Sequence, residues 1–132
     1  MKIRSNYVSN SSSSSFIVEF KDREQVIRIA GEEISVQDFF DAFNSVHNFE
    51  TEIREITDDN EDKENLIKSI DGFIEWSEDE EKCKLIELKK DIQSSDNLFA
   101  RFDISYHDKV MNFLFRLLCK YEMFNLRYET EG

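Results

Sequence analysis

Proline is absent from these 132 residues, glycine occurs three times, and cysteine and histidine twice each. With no proline and glycine only at Gly31, Gly72 and Gly132, nothing in the composition suits a flexible interdomain linker, and one domain over 1–132 is expected. Three scattered glycines also exclude a glycine-rich phosphate loop. Cys83 and Cys119 show no CxxC spacing, and His47 and His107 have no cysteine pair beside them, so neither a disulfide framework nor a metal site is expected. No apolar run approaches the roughly 20 residues of a transmembrane helix, and Ser5, Asn6, Ser9 and Asn10 stand where an exported chain would carry an apolar stretch. The expectation is a cytoplasmic protein with free thiols and no cofactor.

Basic residues are also scarce. Lys plus Arg number 17 against 29 Asp plus Glu, a formal charge of −12. The excess is local: residues 50–96 carry 17 acidic and 7 basic groups, residues 1–49 carry 7 and 5, and residues 97–132 carry 5 of each. A surface this acidic repels phosphate, which argues against direct contact with nucleic acid or an anionic membrane and favours a basic protein partner.

Aromatic residues are abundant, with twelve Phe, four Tyr and one Trp, enough for a core at this length. Leu98, Ala100, Phe102, Ile104 and Tyr106 alternate with Arg101, Asp103 and Ser105 at the two-residue period of a strand, broken only by Phe99. Phe124, Leu126 and Tyr128 repeat the alternation, and between the two runs lies a helical pattern from Val110 to Tyr121. The two strands flanking this helix are either neighbours or separated by a third; the pattern fits both. Phe16, Val18 and Phe20 mark a strand directly after the serine run, and Gln25–Ile29 a second, with 21–24 as the hairpin connection. Three capping boxes, Ser35 to Asp38, Ser77 to Glu80 and Ser105 to Asp108, predict helix starts. A further helix is expected from Leu66 to about Trp76, after a polar break at 58–62. Phe49–Thr57 fits helix and edge strand alike, and we take it as strand. The resulting expectation is an α+β fold: a small, mostly antiparallel sheet from the N- and C-terminal strands, packed against three to four helices.

The candidate chemistry is sparse. Asp58, Asn60 and Asp62 sit at calcium-loop spacing, but Lys63 and Ser69 occupy the positions that need glycine and glutamate. Ser105, His107 and Asp108 have the residue types of a hydrolytic triad, yet helix capping accounts for them and no nucleophile-elbow glycines surround Ser105. No catalytic residue is assigned. The strongest partner surface is the acidic set Asp58, Asp59, Glu61, Asp62, Glu78, Asp79, Glu80 and Glu81. An alternative anion site would use Ser11, Ser12 and Ser13 with Arg101 and Arg127. The serine-rich segment 1–15 has three open readings: a flexible hinge, an anion-binding loop or a modified tract.

The opening from Lys2 to Val18, with Val8-Ser9-Asn10, five serines and then Phe16-Ile17-Val18, resembles the start of a diffuse group of small proteins encoded by tailed bacteriophages and some bacteria. The resemblance covers about the first eighteen positions, and no catalytic residue is carried over. It implies a phage or mobile-element origin, and hence a non-enzymatic inhibitor of a host nucleic-acid-handling or defence protein, acting through an acidic face that mimics DNA. A nucleotide-type ligand binder or sponge, and a virion component that self-associates as a homo-oligomer, are the other classes this reading leaves open.

Overall fold

The computed structural model describes residues 13–44 and 52–130. In chain order the elements are β1 (Ser13–Phe20), β2 (Val26–Ile29), β3 (Glu32–Ser35), α1 (Val36–Asn44), β4 (Glu52–Ile56), α2 (Asn60–Glu75), α3 (Asp79–Ser94), β5 (Leu98–Ser105), α4 (Lys109–Lys120) and β6 (Asn125–Glu129). Four strands form one sheet in the order β4-β5-β1-β6, and β2 and β3 form a separate hairpin. Every pairing is antiparallel. The expected α+β class is what the chain adopts.

β5 and β6 are both antiparallel to β1 and flank it, so they run parallel to each other with β1 between them. The β5-α4-β6 unit is therefore a split crossover. The expected β1–β2 hairpin does not form: β1 spends both edges on β5 and β6, and β2 instead turns back on β3. That turn places Ala30 at φ +53° and Gly31 at φ +83°, the two left-handed positions that a tight hairpin requires.

Helices cover both faces of the sheet, and the strand pleat sorts the side chains between them. On the first face Phe16, Val18 and Phe20 of β1 and Ala100, Phe102 and Ile104 of β5 pack against α1, α4 and the β2–β3 hairpin. Phe102 is fully buried at the centre, its ring 5.2 Å from that of Phe43, 5.1 Å from Phe115 and 5.6 Å from Phe39. On the second face Ile17, Phe99 and Tyr128 pack against Leu66 and Ile70 of α2 and Leu85, Leu88 and Ile92 of α3. Phe99, the residue that breaks the alternation, is thus an anchor of a second core.

Two irregularities shift side chains between faces. A bulge between Ile53 and Glu55 lets Ile53 and Ile56 share the first face, three residues apart, while Arg54 and Glu55 reach groups on the second. A second one, where β6 pairs with Ile17 and Val18, puts Leu126 and Tyr128 on opposite faces, although simple alternation would place them together.

The helix starts follow the capping boxes only in part. Ser35 and Asp38 form the reciprocal pair: the Asp38 N–H donates to Ser35 Oγ at 3.1 Å, and the Ser35 N–H to Asp38 Oδ2 at 2.9 Å. Those bonds, the Ser35 N–H first and its hydroxyl second, hold the Asp38 carboxyl below its ordinary value. At the other two boxes the serine is not the cap. Ser77 donates to the Phe73 carbonyl at 2.6 Å, and α3 starts at Asp79. Ser105 accepts from the His107 N–H at 3.2 Å, and Asp108 caps α4 through the Met111 N–H at 3.0 Å. α2 begins earlier than the apolar pattern suggests, because Asp59 accepts from the Asp62 N–H at 2.9 Å and converts the polar stretch 60–62 into a first turn.

Candidate functional site

The acidic region folds as a helical hairpin, α2 and α3, laid over the second face of the sheet. Its register is fixed by two cross-links: Lys63 Nζ donates to the Ser95 carbonyl at 2.8 Å, and Lys89 Nζ meets Asp71 at 2.9 Å. Pairing Lys63 with Ser95 and Asp71 with Lys89 makes the helices antiparallel. Each helix has 16 residues, or about 24 Å at 1.5 Å per residue.

That length divides the predicted acidic set. Asp58, Asp59, Glu61 and Asp62 sit where α2 begins, and Glu78, Asp79, Glu80 and Glu81 where α3 begins, at the opposite end of the hairpin. They form two groups and not one patch. The first is partly occupied within the molecule, with Asp58 paired to Arg23 at 2.8 Å and Asp59 serving as the α2 cap. Exposed Glu64, Asp71, Glu75 and Glu87 extend the negative charge along the outer side between them. From Asp58 to Asp96 the sequence holds fourteen carboxylates against six lysines.

Two arginines fasten this layer to the sheet. Arg101 of β5 reaches toward α2, where Nη1 donates to Ser69 Oγ at 3.0 Å and the guanidinium lies 5.1 Å from the Phe73 ring centroid. Its neighbours are Glu55 at 3.9 Å and Asp103 at 3.5 Å, and Ser69 in turn donates to Glu55. Arg127 of β6 reaches toward α3, donating to Asp91 and, at 2.5 Å, to Glu19. Burial pulls the Arg127 guanidinium downward, but Asp91 and Glu19 outweigh it, leaving the group above its ordinary value and fully charged.

This arrangement corrects the alternative anion site. Arg101 and Arg127 are already matched by carboxylates, and their charge holds the hairpin in place. Ser11 and Ser12 lie outside the described residues, as does His47. Ser13 opens β1 opposite Ser105, and the Ser15 hydroxyl donates to Asp103 at 2.6 Å, so the last three residues of the segment set aside as 1–15 belong to the sheet.

Glu19, Arg54 and Asp103 escaped the sequence reading. Asp103 is 6% exposed, accepts from Ser15 and pairs with Arg54 at 2.5 Å. The available signal was Ile17 and Phe99, apolar on the side of both strands assigned to solvent, which announces a second covered face.

Among the described residues no group of three or more His, Cys, Asp or Glu is placed to hold a metal, and no helix is long and apolar enough to cross a membrane. Fold and surface together define an α+β domain with one acidic helical layer. No family model, curated protein or solved structure matches the chain.

Proposed function

We propose that this chain is a non-enzymatic, phage-type binding protein that engages a basic surface on a host nucleic-acid-handling or defence protein through the outer side of the α2–α3 hairpin. The observation that carries the reading is the layering of charge: most of the formal −12 resides in one helical layer on one face of the sheet. The opening resemblance supplies the phage setting. Two acidic groups about 24 Å apart, with carboxylates between them, span the length over which one strand of a duplex carries about seven phosphates. A channel built for nucleic acid would attract such a layer, and long-range attraction would raise the association rate.

The test is affinity capture from bacterial lysate by the full chain at low and moderate salt, followed by affinity measurements on the captured protein. Two variants are compared, D58N/D59N/E61Q/D62N and E78Q/D79N/E80Q/E81Q. Asn at 59 preserves the α2 cap, so the first variant changes charge and not helix start. Each set should weaken binding by about tenfold, given less than about 1 kcal/mol per exposed charge, and wild-type affinity should fall as salt rises. Salt-independent binding, or affinity unchanged in both variants, would refute the proposal.

A further inference from the structure

The outer side of α4 carries a second recognition surface, of opposite character to the hairpin and independent of the proposal above. Val110 is 73% exposed and Phe113 68%, values unusual for large apolar side chains on a helix whose other side is core. Tyr106 and Tyr121 are also exposed, and Leu117 half-buried. At about 100° per residue, positions 106, 110, 113, 117 and 121 fall within about 80° of arc, a continuous stripe along the helix. Met111, Phe115 and Leu118 point the other way, into the sheet. α4 is therefore apolar on two sides, and no sheet or helix among the described residues accounts for the second.

Charge specifies the occupant. Lys109, Arg116 and Lys120 lie within about 40° of one another along one flank of the stripe, and no acidic residue occurs between positions 109 and 120. In a chain of −12 this is a local reversal of sign. The same flank borders an open groove of about 490 Å³ lined by Lys109, Asn112 and Arg116. We infer that α4 docks an amphipathic helix of a partner protein whose apolar stripe is flanked by acidic side chains, in the helix-to-helix manner that buries Phe113 at the centre. A second copy of this chain fits less well, since antiparallel α4 helices would set the cationic flank against itself and bring two −12 chains together. An anionic bilayer would meet the same net charge.

The test uses the full chain and two synthetic helical peptides of about 20 residues, each with one leucine stripe at heptad spacing, one flanked by glutamate and the other by lysine. The glutamate peptide should bind and the lysine peptide should not. Phe113→Ser should weaken binding on the order of 30-fold, as loss of a central interface aromatic does. Because Phe113 is solvent-facing, the variant should fold as wild type does; circular dichroism checks this, and Val110→Ser provides a second reading of the same stripe. K109E/R116E/K120E should abolish the preference for glutamate over lysine. Equal binding of the two peptides, binding of neither, or indifference to both F113S and V110S would overturn the inference. Self-association, or binding to phosphatidylglycerol vesicles, that depends on Phe113 would also overturn it, in favour of a second copy or a membrane surface.

Discussion

Asp103 shows how one residue type changes meaning with its surroundings. It occupies a strand position that alternation assigns to solvent, yet it is buried, and three groups converge on it: the Ser15 hydroxyl, Arg54 and Arg101. Removing a buried carboxylate leaves cations without a counter-charge, which costs more than the pair itself contributed. Arg54 is about half exposed and can rehydrate, so Asp103→Ala should lower stability by about 2 kcal/mol, short of the range for a wholly buried pair. Urea denaturation measures this directly. A midpoint within error of wild type would mean that the network contributes nothing.

At the scale of elements, most of the fold was legible wherever pattern and geometry kept the same period. The strands at 16–20 and 98–105 and the helices after Ser35 and Leu66 follow from alternation and from three- and four-residue spacing. The remainder was hidden for identifiable reasons. The bulge in β4 puts Ile53 and Ile56 three apart on one face, a spacing that mimics a helix, which is why 49–57 fitted both readings. The irregular pairing of β6 sends Tyr128 to the face opposite Leu126. Strand order was invisible because it depends on which edges meet, and β1 took both of its edges to the C-terminal strands. The acidic set was found residue by residue, but its division between two ends of a hairpin required the antiparallel register. Phe99 offers the sharpest check at this scale. In a one-sided sheet it would face water and tolerate truncation; beneath α2 and α3, Phe99→Ala should cost about 3–5 kcal/mol, comparable with Phe102→Ala on the other face. Calorimetry or denaturant titration showing Phe99→Ala to be nearly neutral would remove the second core from the account.

At the scale of the molecule, the sheet separates two surfaces of different character. One is the carboxylate-rich hairpin held by Arg101 and Arg127; the other includes α4, with its apolar stripe and cationic flank. The arginines link stability to recognition, since the cations that fasten the acidic layer also offset part of its self-repulsion. A layer carrying fourteen carboxylates needs internal counter-charge to stay folded and outward charge to attract a partner, and the structure provides both by directing Asp91 and Glu55 inward while Glu64, Glu75 and Glu87 remain exposed. The most direct measurement is amide hydrogen exchange along the full chain, with and without the protein it captures. Slowed exchange across 60–94 on binding is the predicted result; protection confined to α1 and the β2–β3 hairpin, with α2 and α3 unchanged, would contradict it.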